Sequence, residues 1–250
     1  MSTEDQPPKN LWIDQLSIND ATRTMLENQE EAILAVNNAL PQINRVIVVI
    51  YNRLKKYPKS RLIYAGAGTS ARVGLQDGVE LYPTFGWPRK RVNFIIAGGE
   101  KAVFSSIEGA EDDINSPHEI ANEIKFSKED VLIAIAASGN TPFTRECVLK
   151  SKENKALSIA ISNNKNGEIL KFSDYGIVLD TGFEIIAGST RLKAATAQKI
   201  CLNIMSSMIM TKLGFVKNGL MTNLVPTNEK LVKRKKQILT LISKRENEPK

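Results

Sequence analysis

Two short loops carry residue types that suit a phosphate. The first, Gly66-Ala67-Gly68-Thr69-Ser70, directly follows the apolar run Leu62–Ala65. The second, Ala137-Ser138-Gly139-Asn140-Thr141-Pro142, directly follows Val131–Ala136. Both lead into stretches with helical spacing. A helix N-terminus presents unpaired N–H groups and the positive end of the helix dipole, so it suits an anion. Serine and threonine hydroxyls add donors without bulk, and glycine lets the backbone approach a ligand. One Gly-Thr-Ser is equally a turn or a cap. Two such loops in register on neighbouring strands favour phosphate binding over capping. Neither loop has the Walker lysine spacing, and Gly66-Ala67-Gly68 does not continue as a dinucleotide fingerprint, because position 71 is Ala71. The expected ligand is a compact phosphate ester rather than ATP or NAD.

Carboxylates come next. Glu80 lies in Asp77-Gly78-Val79-Glu80, near the end of the helix behind the first loop. Glu111 lies in the acidic turn Glu108-Gly109-Ala110-Glu111-Asp112-Asp113. Such a turn is costly unless it is solvated or functional, and spacing alone favours the solvated loop.

The elements that must hold these residues follow from periodicity. Ser17 can cap a helix starting near Asp20, and Leu40-Pro41 restarts the pattern. Ile43, Val46, Ile47, Ile50 and Leu54 then keep helical spacing up to Lys56. Short apolar runs appear at Leu62–Ala65, Val92–Ala97, Val131–Ala136, Leu157–Ser162 and Tyr175–Leu179, with helical stretches between most of them. Continuous apolar runs alternating with helices predict an α/β fold, a doubly wound parallel sheet of five strands. In open sheets of this kind ligands bind beyond the carboxyl ends of the strands, where both loops fall. A long helix is expected from Ser189 to Leu213. The expected division is an N-terminal helical segment (1–57), the sheet domain (58–215) and a basic C-terminal helical segment (216–250).

Composition narrows the partners. The 250 residues are 42% hydrophobic and 24% charged, ordinary for a globular protein with a core. No apolar run reaches the ~18 residues of a membrane span, and residues 1–10 are polar, so a cytoplasmic protein is expected. Cys147 and Cys201 have no partner at metal-ligand spacing and read as buried thiols. His118, the single histidine, follows Ser116-Pro117 and reads as a surface residue. The net charge is +7, but eight Lys or Arg within 230–250 against Glu246 and Glu248 account for +6 of it. A basic helix of this kind reads as a solvated face or an oligomer contact. No aromatic or motif signal accompanies it, so nucleic acid is not expected as a partner.

Taken as a set, the motifs resemble the N-acetylmuramic acid 6-phosphate etherases. The resemblance rests on Gly66–Ser70 with Asp77, Glu80 and Pro83-Thr84-Phe85-Gly86, on Ile96-Ala97-Gly98-Gly99-Glu100, and on Glu108–Asp112. It continues with Ala136–Gly139, Thr141-Pro142, Gly188-Ser189-Thr190-Arg191-Leu192-Lys193, Thr196-Ala197-Gln198-Lys199 and Asn218-Gly219-Leu220-Met221. Thr3-Glu4, Ile13-Asp14, Leu16-Ser17 and Pro226–Leu231 extend it over nearly the whole chain. The resemblance implies a homodimer of the sugar-isomerase (SIS) fold. It implies a carbon–oxygen lyase that removes D-lactate from N-acetylmuramic acid 6-phosphate, without metal or organic cofactor. It places catalysis on Glu80 as acid and Glu111 as base, and substrate binding on Gly68, Thr69, Ser70, Ser138, Gly139, Thr141, Ser189 and Lys193. The family usually has glycine at Ala71, Cys-Pro at Leu81-Tyr82 and arginine at Asn140, and continues further past the Asn-Glu-Lys block than Lys250. Two alternatives remain: a sugar-phosphate sensor like the glucokinase regulatory protein, which resembles the same family, and an aldose–ketose isomerase on the same fold.

Overall fold

Ser17 opens the first long helix by accepting the backbone N–H of Asp20 on its hydroxyl, 3.2 Å away, as the sequence predicts. The computed structural model describes residues 2–226 and 229–246; Met1, Thr227, Asn228 and residues 247–250, including part of one resembling block, lie outside them. Helices α1 (Ile18–Asn38) and α2 (Leu40–Lys56) meet at Ala39, with Pro41 in the first turn of α2 where its missing N–H costs nothing. The chain then alternates: β1 (Leu62–Gly66), α3 (Gly68–Phe85), β2 (Val92–Ile96), the one-turn α4 (Lys101–Phe104), α5 (Ser116–Glu123) and β3 (Val131–Ala136). It continues with α6 (Pro142–Glu153), β4 (Leu157–Ser162), α7 (Glu168–Phe172), β5 (Tyr175–Val178) and α8 (Lys193–Lys212). A two-strand ribbon of β6 (Val216–Lys217) and β7 (Leu220–Met221) precedes α9 (Glu229–Glu246).

The five strands β1 to β5 form one parallel sheet in the order β2-β1-β3-β4-β5, with Leu62 opposite Val131 and Leu157 opposite Val131 on the next strand. Side chains alternate between faces, so each strand feeds two cores. Leu62, Tyr64, Ile133, Ile135, Ile159 and Ile161 pack against α1, α2, α3 and α8. Ile63, Ala65, Leu132, Ala134 and Ala160 pack against α5, α6 and α7. Three layers result, and β1, β3 and β4 are buried throughout because both faces are covered, with Ser158 and Ser162 the polar exceptions in otherwise apolar runs.

Three strands end one residue from the expected positions, and the largest difference is at the long helix, which ends at Lys212. The long helix begins at Lys193 rather than Ser189, because Gly188 takes φ +70° and Ser189–Leu192 forms successive turns, with the Leu192 N–H donating to Ser189 O. Cys147 and Cys201 are both buried. Among the described residues no single helix is long and apolar enough to cross a membrane.

Candidate functional site

The strand order places a topological switch point between β1 and β3, since the chain turns outward to β2 after one and onward to β4 after the other. In sheets of this order the crevice there is the usual ligand site. The loops after β1 and β3 both open into it. A cavity of about 260 Å³ sits over them, lined by Ala67, Gly68, Thr69, Ser70, Ala137, Ser138 and Thr141, together with Glu4, Glu111, Gly188 and Thr190.

Two helix N-termini face this cavity. Helix α3 begins at Gly68 and α6 at Pro142, and neither is capped by a side chain. Thr69, Ser70 and Thr141 therefore do not serve as plain caps, and the first N–H groups of α3 remain available to an anion; at α6 Pro142 has no N–H and the Phe143 N–H is spent within the chain. Ser138 accepts the Asn140 N–H at 3.1 Å, which folds the second loop over the strand end. Gly139 is held at φ +76°, and a Cβ there would stand 2.5 Å from the Gly167 Cα, so the loop closes against the turn before α7 only with glycine.

Glu111 reaches the site from the long connection between β2 and β3. Its backbone carbonyl accepts the Phe143 N–H at 3.0 Å, tying the acidic turn to the first turn of α6. Its carboxylate lies against Gly68, where a Cβ would be 3.1 Å from Oε1 and where φ is +52°. Asp113 in the same turn faces elsewhere. The Ser116 hydroxyl and N–H, with the Asn115 N–H, stabilise its charged form and lower its carboxyl below the ordinary range.

Of the residues singled out in the sequence, the structure brings Gly68, Thr69, Ser70, Ser138, Thr141 and Glu111 to one cavity. Gly139 does not line it and packs against Ser162 and Gly167, and Ser189, between the lining residues Gly188 and Thr190, does not line it either. Lys193 is not brought there. Its side chain is fully buried, pairs with Glu31 of α1 and lies 4.8 Å over the Phe183 ring. Glu184, also buried, accepts the N–H groups of Lys193 and Ala194 at 3.1 and 2.9 Å and so caps α8. Burial raises the Glu184 carboxyl, and those two N–H donors partly offset the rise. Glu80 is not brought there either. It is exposed on α3, twelve residues beyond Gly68, which is ~18 Å along the helix axis.

The departures from the family pattern also take places. Leu81 is core, and Tyr82 lines a separate cavity of about 310 Å³ with Gly78, Val79, Trp87 and Arg89. Asn140 accepts the Glu168 N–H at 3.0 Å on its side-chain oxygen and holds the start of α7. Two lining residues with polar side chains escaped the sequence reading as site residues. Thr190 sat inside a quoted block, and Glu4 sat in Thr3-Glu4, whose neighbour in space, Asn164, is far away in sequence.

The glucokinase regulatory protein N-terminal SIS domain family matches residues 42–152, and the SIS domain family matches residues 102–208. An N-acetylmuramic acid 6-phosphate etherase of Bacillus cereus (strain AH187) is 41% identical over 239 residues, covering 96% of this chain and 81% of the relative. That of Lactococcus lactis subsp. lactis (strain IL1403) is also 41% identical, over 96% and 80%. Among solved structures, an E. coli CFT073 protein solved as a ligand complex aligns with TM-score 0.59 at 12% identity, over 82% of this chain and 97% of that one. A phosphoheptose isomerase from Neisseria gonorrhoeae aligns with TM-score 0.58 at 14% identity, over 78% and 100%. At such identities the structural likeness speaks to the fold.

Proposed function

The chain belongs to the N-acetylmuramic acid 6-phosphate etherase family, and from that premise we propose that it cleaves the D-lactyl ether of N-acetylmuramic acid 6-phosphate. The products are N-acetylglucosamine 6-phosphate and D-lactate, and the setting is cytoplasmic recycling of cell-wall sugar. The observation that carries this reading is one cavity in which the uncapped N-terminus of α3 and the hydroxyls of Thr69, Ser70, Ser138 and Thr141 meet the Glu111 carboxylate. Thr69, Ser70, Ser138 and Thr141 hold the phosphate, and Glu111 faces the sugar.

The chemistry follows from the open-chain sugar. Its C2 proton is acidic because C2 lies beside the aldehyde. Glu111 removes that proton. A carboxylic acid protonates the ether oxygen on C3 as lactate leaves, and water adds at C3 of the unsaturated aldehyde while C2 regains a proton. Glu80 is the acid in this reading. At ~18 Å along α3 from Gly68 it is too distant to serve its own chain's cavity, so it serves the cavity of a second copy, and the working unit is a homodimer. Incubation with N-acetylmuramic acid 6-phosphate should release D-lactate. Glu111→Gln keeps the shape of the side chain but cannot accept the proton, so kcat should fall ~10²–10⁴-fold with phosphate affinity kept. Undiminished turnover by that variant would remove Glu111 from the mechanism.

A further inference from the structure

The cavity holds a second carboxylate of its own chain, and the acid and base roles leave it unused. Glu4 lines the same wall set as Glu111 and also an adjoining cavity of about 310 Å³ that shares Ser138 with it. Its place is fixed by a latch. Thr3 is fully buried, and its N–H donates to the Asn164 side-chain oxygen at 3.0 Å. The Asn164 amide donates back to the Thr3 hydroxyl at 2.8 Å and to the Ser138 carbonyl at 3.3 Å. The Thr3 hydroxyl in turn donates to Glu4 Oε1 at 2.9 Å. A charged side chain near the start of the chain is thus pinned beside the phosphate loop by a residue from the end of β4.

Electrostatics limits what Glu4 can contact. Among the described residues no Lys or Arg lines the phosphate cavity and no ion pair engages Glu4; Lys165 lines only the adjoining space. An ionised carboxylate cannot share hydrogen bonds with a phosphate, because both only accept. With Oε1 partnered by Thr3, the remaining acceptor capacity suits a ligand that offers O–H groups. We infer that Glu4 is a substrate-binding residue that accepts hydrogen bonds from the hydroxyls of the sugar chain, and so selects a polyhydroxylated phosphate ester over other phosphates. This rests on the sugar-phosphate part of the proposed function, not on turnover.

The test compares Glu4→Ala, Glu4→Gln and Thr3→Val with the unmutated protein by calorimetry, using N-acetylglucosamine 6-phosphate and inorganic phosphate as two separate probes. Glu4 is exposed, so its variants should fold. Glu4→Ala should weaken sugar-phosphate binding roughly ten- to a hundredfold, the range for a hydrogen bond to a charged acceptor, and leave inorganic phosphate unchanged. Glu4→Gln and Thr3→Val should lie between. In turnover the effect should fall on KM with kcat held within a few-fold. Unchanged sugar-phosphate affinity would overturn the inference. So would an equal loss for both probes, which marks a structural role, or a collapse of kcat at constant KM, which marks proton transfer. Absence of lactate release by the unmutated protein would sink the etherase reading while leaving the two-probe comparison decisive for Glu4.

Discussion

Glu111 and the four hydroxyl residues owe their arrangement to backbone contacts made far from them in sequence. The Phe143 N–H fixes Glu111, and the ends of β1 and β3 fix Thr69, Ser70 and Ser138. Because α3 and α6 carry no side-chain caps, the Thr69, Ser70 and Thr141 hydroxyls are not spent on capping, and Ser138, which accepts the Asn140 N–H, keeps its O–H to donate. Ser70→Ala and Ser138→Ala should each weaken sugar-phosphate binding by ~1–3 kcal/mol, the range for a hydrogen bond to a charged group. Unchanged affinity in calorimetry for both variants would remove the phosphate from these loops. The two loops were legible because each pairs small residues with a strand end. Lys193 came from the resemblance alone, and its side chain is buried against Glu31 and Phe183 instead of lining the cavity. Glu4 was seen only as part of a resemblance, for no local pattern announces a latch to Asn164.

At the level of elements, α3 and α8 are joined by a buried carboxylate. Asp77 accepts from the Tyr64 hydroxyl at 2.8 Å, the Asn203 amide at 2.8 Å and the Ser206 hydroxyl at 2.9 Å. Burial raises its carboxyl above the ordinary 3.8, and the three donors with nearby Lys199 only partly restore it. The sign follows from linkage. A carboxyl raised in the folded state lends its stability below the ordinary value and loses it as pH rises through the folded value. Asp77→Asn removes that titration, so its melting temperature should vary less with pH from about pH 4 upward. Parallel pH curves for the two proteins would contradict this account of the seam. The sheet itself was readable because strands covered on both faces are predominantly apolar runs, and Val131–Ala136 and Leu157–Ser162 match to the residue. The start of α8 was not readable. Ser189–Leu192 has helical composition, and only the positive φ of Gly188 and the turns that follow delay the helix to Lys193.

For the molecule as a whole, Glu80 poses the question of completeness. It is exposed on α3, away from its own cavity. If the working unit is a homodimer with shared sites, Glu80→Gln and Glu111→Gln should each be inactive alone. Their co-expression should restore about a quarter of the unmutated activity, because half the dimers then hold one intact composite site. No recovery, or a strictly monomeric active species in light scattering, would show that sites are not shared. The proposed reaction in this cavity is elimination and hydration of N-acetylmuramic acid 6-phosphate. It is tested most directly by running the unmutated protein with that substrate in heavy-oxygen water and locating the label by mass spectrometry. D-lactate should be released without label, and N-acetylglucosamine 6-phosphate should carry it at the C3 hydroxyl. Label in the lactate, or no lactate at all, would contradict it.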